Sequence, residues 1–196
     1  FVKRIYDETI TLTSSTTDGN GKPKAYAGTT LTGTVNNSVE TTLSRTTASF
    51  KIGSSSVTGN ISGNKFTYTI PVTSTSTYAD GAEIIAEVSK PKVPKLYVNK
   101  NLTALDTTNL NSKSGTGATS TYFTYARGIP ISSVQDMENF LKKGTGYTDR
   151  SATYIITKNI NMSSSSITPN NVTAAGTFYG TLNGDYHTLT EMKTYI

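Results

Sequence analysis

The stretch GTFYGTLNGDYHTLTEM, from Gly176 to Met192, sets two short alternating runs on either side of Asn183-Gly184. Phe178, Gly180 and Leu182 share one parity before the Asn-Gly pair, and His187 and Leu189 share one after it. Asn-Gly between alternating runs is the strongest short-range signal for a β-hairpin. The same residues also fit a path in which each run is one side of a coil and pairs with chain far upstream. A hairpin would close a small sheet, whereas a coil would begin a solenoid, so this choice decides the fold.

The preceding segment argues for the coil. In ISSVQDMENFLKKGTG, from Ile131, the residues Val134, Met137 and Leu141 fall on one helical face with Phe140 beside it. Ser132 with Gln135 reads as a capping box, Lys142 and Lys143 complement the C-terminal dipole, and Gly144 reads as the C′ stop. The helix is expected over about Ser133 to Lys143. ATYIITKNINM, ending at Met162, then reads as a buried strand, and SSSSITPNNVTAAG as a polar excursion before the opening stretch.

The first 90 or so residues carry a different rhythm. RIYDETITL, TTLTGTV, TLSRTTASFKIG, SSVTGNISG, GNKFTYTIPV and AEIIAEVS alternate apolar and polar residues. They are separated by Gly/Asn turns about ten residues apart, the pattern of a sandwich rather than an α/β fold. Phe66, Tyr68 and Ile70 share one face of the clearest strand. KPKVPKLYVNKN reads as an extended connector, because Pro91 and Pro94 disfavour helix, with Leu96–Val98 as a last strand. Residues 106–121, rich in Ser, Thr and Gly, read as an exposed loop.

Composition bounds the function. Hydrophobic residues are 34% of the 196 and charged residues 16%, while Ser and Thr together supply close to a third. Disordered chains are charged and poor in β-branched and aromatic residues; abundant Thr and twelve Tyr favour strands instead. The chain has no Cys, so a disulfide, a thiolate metal site and a cysteine nucleophile are excluded. No apolar run approaches the roughly 18 residues of a membrane helix, no signal peptide is visible, and the chain reads as a mature or excised fragment. The net charge of +5 is spread thinly. Its nearest approach to a patch, Lys90, Lys92, Lys95 and Lys100, lacks the contiguous basic face and stacking aromatics of a nucleic-acid interface.

The order of helix, strand ending ITKNINM, polar loop and F-x-G-T-L-N-G-D-x-H-T-L resembles the N-terminal cap and first coils of right-handed parallel β-helices. These occur in pectate-lyase-like adhesive domains, in surface repeats of large bacterial and methanogen adhesins, and in phage tailspikes. The match spans about Ile129 to Met192. It departs from the family pattern at Asn159 and Asn161, where Asp is usual, and at Asp185-Tyr186, where Gly is common. Without that Asp pair a Ca²⁺-type ligand set is lost, so no metal and no cofactor is expected. Residues 1–98 resemble the Ig-like modules that precede such domains. The expected fold is therefore all-β: an Ig-like β-sandwich over 1–98, linker and loop over 99–128, and the capped start of a right-handed parallel β-helix with one short helix over 129–196. Too few coils fit for a self-sufficient solenoid, so the chain is expected to end inside it.

Catalytic candidates are few. His187 is the one histidine, so any Ser-His-Asp relay would need it; packing at a corner is the plainer role. Asp185 and Glu191 are the acids near the coil motif that glycoside cleavage could use, and charge at a surface turn explains them as well. No catalytic, cofactor or metal residue is assigned. Asn36, Asn60, Asn101, Asn161 and Asn171 begin N-x-Ser/Thr sequons, which count only in a host that glycosylates exported proteins. Tyr122, Tyr125, Tyr179 and Tyr186 are the tyrosines that could stack on sugars if exposed. The expected function is a non-enzymatic, extracellular cell-surface adhesin or stalk fragment. It would bind a glycan or protein of a host or neighbouring cell, without nucleic acid and without membrane insertion. The alternatives are a structural assembly protein (a phage tail or baseplate component, or a filament subunit joined by strand addition) and a fragment of a polysaccharide-active β-helix enzyme.

Overall fold

Eight strands alternate along the first part of the chain in a computed structural model, which describes residues 9–36, 43, 47–72, 78–89, 109–112 and 124–192. They are β1 Thr9–Ser14, β2 Thr30–Asn36, β3 Ala48–Ile52, β4 Ser55–Thr58, β5 Asn60–Ser62, β6 Lys65–Thr69, β7 Ile84–Ser89 and β8 Asn109–Ser112. They form two antiparallel four-stranded sheets, in the orders β1-β2-β6-β5 and β4-β3-β7-β8. Alternation sets each inner face. Ile10 and Leu12 of β1, Leu31 and Val35 of β2 and Phe66 of β6 are buried in one sheet; Phe50, Ile52, Ile84, Ala86 and Val88 are buried in the other. Phe50 and Phe66 bring the sheets together with ring centroids 5.0 Å apart. Gly33 faces Phe66 across the β2–β6 ladder, and a Cβ there would lie 2.3 Å from the ring, so only glycine leaves room for it.

The second part carries β9 Ile129–Ile131, α1 Val134–Leu141, β10 Thr153–Ile156 and β11 Ile160–Asn161. A 3₁₀ turn at Met162–Ser164, α2 Pro169–Ala174, β12 Thr181–Asn183 and β13 Leu189–Thr190 follow. β12 and β13 do not pair with each other. β12 joins β10 in parallel, Tyr154 opposite Leu182, and β10 joins β9 in parallel, Tyr154 opposite Ile129. β13 joins β11 in parallel, Ile160 opposite Leu189. Partners are thus 25, 28 and 29 residues apart along the chain. Parallel pairing needs a crossover of a dozen or more residues, and the segments holding α1 and α2 supply it. The local Asn-Gly signal loses to these long-range ladders. Among the described residues no sheet closes on itself and no solenoid sheet forms; the fold is mostly β, with antiparallel sheets, small parallel sheets and two short helices.

The contacts divide the chain into two compact units. The first comprises residues 1–15, 30–69 and 82–124; the second comprises 16–29, 70–81 and 125–196. The second unit therefore draws in two loops, β1–β2 and β6–β7, that lie in sequence within the expected sandwich. Backbone bonds hold them there: Ala126 N donates to Ala25 O at 2.8 Å, Gly81 N to Tyr125 O at 2.9 Å, and Gly28 N to Ile70 O at 2.8 Å.

Four local expectations need correction. Pro169–Ala174, read as part of a polar excursion in a fold with one short helix, forms α2, with Thr168 as its N-cap and Pro169 in its first turn. Asn109–Ser112, read as loop, pair with β7 as strand β8. The helix is capped one residue later than expected: Ser133 Oγ accepts from Asp136 N, and Asp136 accepts from Ser132 N and Oγ. At the other end Lys143, not Gly144, takes the left-handed conformation, with φ 57°, while Gly144 N reaches back to Asn139 O at 2.7 Å in a Schellman closure. The Pro/Lys connector, Leu96–Val98, Asn101 and Tyr122 lie outside the described residues.

Candidate functional site

The core of the second unit comes from α1 and the stacked strands. Ile131, Met137, Phe140, Tyr147, Tyr154, Ile156, Ile160 and Met162 are buried together, with Val134, Leu141, Phe178 and Leu189 partly buried against them. Phe140 meets Tyr154 and Phe178 edge-on at 5.0 and 5.1 Å. The Arg150 guanidinium lies over both Phe140 and Phe178 and donates to Phe140 O at 2.8 Å, completing one orphan carbonyl at the helix end. Ile155 points the other way, into a second cluster with Tyr26 and Ala126. It is Ile156 that shares the core with α1, since successive strand residues face opposite sides.

Glu138 sits on the buried side of α1. Its carboxylate accepts from Ser166 N at 2.7 Å and from Ser165 Oγ at 2.9 Å, with Lys142 Nζ 3.8 Å away. The Ser166 backbone bond is the largest influence, and with Ser165 and Lys142 it outweighs burial and holds the acid below its usual range. For Asp136, burial acts upward most strongly, but the bonds from Ser132, Ser133 and Tyr147 together lower it. Both acids fasten the helix.

The segment from Asn183 to Thr188 has the most unusual backbone of this unit. His187 N donates to Gly184 O at 2.8 Å, closing a turn whose central residues, Asp185 and Tyr186, have φ 41° and 65°. This is the geometry of a type I′ turn, which suits Gly, Asn or Asp. The turn therefore lies one step beyond the Asn-Gly pair. A left-handed conformation costs an L-residue about 1–2 kcal/mol, and Tyr186 bears that cost. Four hydrogen bonds brace the segment: Asn183 Oδ1 accepts from Asp185 N at 2.9 Å, Gly19 N donates to Asp185 O at 3.0 Å, Tyr26 Oη donates to Asp185 Oδ2 at 2.7 Å, and Thr188 N donates to Asn159 Oδ1 at 3.0 Å. Gly19 approaches so closely that a Cβ would lie 1.9 Å from Tyr186 O. Burial first, and then the Asp185 carboxylate, push the Tyr26 phenol well above its ordinary value, so it stays a neutral donor.

The tyrosines separate by exposure. Tyr125 is buried, contrary to its candidacy for sugar stacking, and its ring meets Tyr78 edge-on at 5.5 Å. Tyr179 and Tyr186 are 74% and 71% exposed. His187 packs beside Tyr26, ring centroids 6.5 Å apart, and both its ring nitrogens are buried without a hydrogen bond. No Ser or Asp engages them, so no Ser-His-Asp relay is assembled. Glu191 is exposed just past β13, while Asp185 is engaged by Tyr26. Among the described residues no three His, Cys, Asp or Glu side chains gather as metal ligands, and no helix is long and apolar enough to cross a membrane.

The sequons differ in access. Asn60 and Asn171 are exposed, as is Asn161, whose Oδ1 caps the 3₁₀ turn through Ser163 N. Asn171 Oδ1 accepts from Thr168 in the capping box of α2. Asn36 is partly buried and donates Nδ2 to Thr11 Oγ1 at 2.7 Å. The one sequence signal for this turn is that Asp185-Tyr186 stands where Gly is common in the pattern it resembles; tyrosine itself does not mark a left-handed backbone.

No family model, curated protein or solved structure is significantly similar to this chain.

Proposed function

We propose that this chain is a non-enzymatic adhesin or stalk fragment displayed outside the cell or on a virion. It holds a ligand non-covalently, and the ligand is a glycan or protein of another cell. In this reading the first unit is an Ig-like sandwich spacer, and the second is the start of a right-handed parallel β-helix covered by α1. The observation that carries the reading is the pair of parallel ladders, β9-β10-β12 and β11-β13, whose partners recur every 25 to 29 residues with α1 packed on their core. Tyr179 and Tyr186, large and exposed on that unit, supply contact area of the amphipathic kind that binding surfaces favour. Asn60, Asn161 and Asn171 are the sequons open to glycosylation in a host that modifies exported proteins.

The test is retention of the intact chain on immobilised glycans and on cell surfaces, with polysaccharide turnover assayed in parallel. Saturable retention without turnover is expected. Turnover, or no retention on any surface, would overturn the proposal.

A second reading, structural assembly by strand addition, draws on β12. Thr181 N donates to Ala152 O, so Thr181 and Asn183 face β10, while the N–H and C=O of Leu182 point outward from an uncharged edge. The far edge of the same sheet differs. Thr157 N donates to Ile131 O, which turns Pro130 outward and leaves that edge without its donor. Light scattering at rising concentration separates the two, since assembly predicts growing mass and a stalk fragment predicts none.

A further inference from the structure

We propose that Tyr186 is the sugar-contacting residue of this protein, a platform for the apolar face of a neutral hexopyranose, with Asp185 accepting a hydroxyl of the same ring. The inference rests on the adhesin reading and names its ligand class. Tyr186 and Asp185 are adjacent left-handed residues in one closed turn. A turn of this type is best built from Gly or Asn, so stability alone does not account for Tyr186. An exposed position at φ 65° gives a tyrosine little to bury, and its ring remains 71% exposed. Strained residues persist where the surroundings over-determine them, and they concentrate at ligand clamps.

The surroundings here do over-determine the turn. Asp185 is held at its N–H by Asn183, at its C=O by Gly19 N and at Oδ2 by Tyr26 Oη. Gly19 packs where no Cβ fits, against Tyr186 O. Tyr26, itself buried, carries the carboxylate without needing a counter-charge. The result is an exposed aromatic ring carried on a braced backbone, next in sequence to a carboxylate held at Oδ2, whose Oδ1 has no protein partner among the described residues. An aromatic face accepts the C–H face of a pyranose, and a carboxylate accepts its hydroxyls. The Asp185 charge disfavours sulfated and uronic sugars, which leaves neutral hexoses. Gly19 and Tyr26 are positioning residues and do not touch the sugar.

The experiment compares the intact wild-type chain with Tyr186→Gly, Tyr186→Phe and Gly19→Ala on immobilised neutral hexose polysaccharides, with sulfated and uronic polysaccharides as controls. Thermal melts are run on every variant. Tyr186→Gly is expected to melt higher than wild type, because glycine relieves the left-handed strain, and yet to bind at least tenfold more weakly. Tyr186→Phe keeps binding within about threefold, since the ring face is retained. Gly19→Ala weakens binding by disturbing the turn. Binding by Tyr186→Gly equal to wild type would overturn the inference while leaving an adhesin that binds elsewhere. Preference for the sulfated or uronic polymers, or no retention of wild type on any neutral one, would overturn it too. Retention on cells by a protein ligand would in that last case preserve the broader reading.

Discussion

Lys143 shows at the scale of one residue how backbone geometry and side-chain identity can disagree. It occupies the left-handed position that ends α1, where glycine has no Cβ penalty, while the glycine of the pair sits one place later. Lys143→Gly should therefore stabilise the fold by about 1 kcal/mol, the order expected for left-handed strain in an L-residue; a rise in the urea midpoint with unchanged slope is the check. Glu138 gives a pH prediction. Its folded value is depressed, so its contribution is present above the unfolded carboxyl value, about 4.3, and is lost as pH falls through the lower folded value. Asp136 acts in the same direction. Stability should thus drop as pH falls below about 4.3, and Glu138→Gln should flatten that fall when chemical melts are compared from pH 6 to pH 3. An unchanged profile would mean that the Ser165 and Ser166 bonds hold a neutral acid equally well.

At the scale of elements, α1 is a cover whose strength lies in Phe140 more than in Leu141. Phe140 is buried between Tyr154, Phe178 and Arg150, whereas Leu141 is only partly buried. Phe140→Ala should cost about 3–5 kcal/mol, as large aromatic deletions in cores do, and Leu141→Ala distinctly less; paired denaturation curves decide it. The helix and most of the strands were legible in the sequence. Met137, Phe140 and the alternation of TLTGTV or AEIIAEVS depend on short-range periodicity, which the folded chain keeps. The cap lies one residue later than the pattern suggests because Ser132 and Ser133 are chemically equivalent candidates, and only Asp136 distinguishes them. Strand β8 was hidden in a Ser/Thr-rich stretch because its pairing partner, β7, lies about twenty residues away and supplies what local composition does not. The turn at Asp185-Tyr186 is hidden from local pattern for a related reason: its brace comes from Gly19 and Tyr26, more than 150 residues earlier.

At the scale of the whole molecule, that long-range brace makes the second unit depend on loops drawn from far along the chain. The loops 16–29 and 70–81 are covalently part of the strand pairs β1–β2 and β6–β7, yet they belong to the compact unit of 125–196. Tyr26, Ala126 and Ile155 form one buried cluster from these distant segments. Residues 125–196 made alone lack Tyr26, and with it the cover for Ile155. They should show no cooperative melt, whereas the full chain should; circular dichroism on both is sufficient. A Pro/Lys connector suggests independent modules when read locally, but contact between sequence-distant loops is invisible to local pattern. That the fold is mostly β was readable, and the long-range brace that shapes the candidate site was not. The central claim is that the Gly176–Met192 stretch lies as stacked parallel strands rather than a hairpin, and a chain with no native Cys permits a direct test. Thr153 and Thr181, both exposed, are Cα partners in the β10–β12 ladder, whereas a two-residue Asn-Gly hairpin would instead set Thr181 opposite Tyr186. Under mild oxidation, Thr153→Cys/Thr181→Cys should form an intramolecular disulfide with the melting temperature kept or raised, and Thr181→Cys/Tyr186→Cys should remain reduced. A disulfide in the second pair and none in the first would contradict the parallel stacking outright.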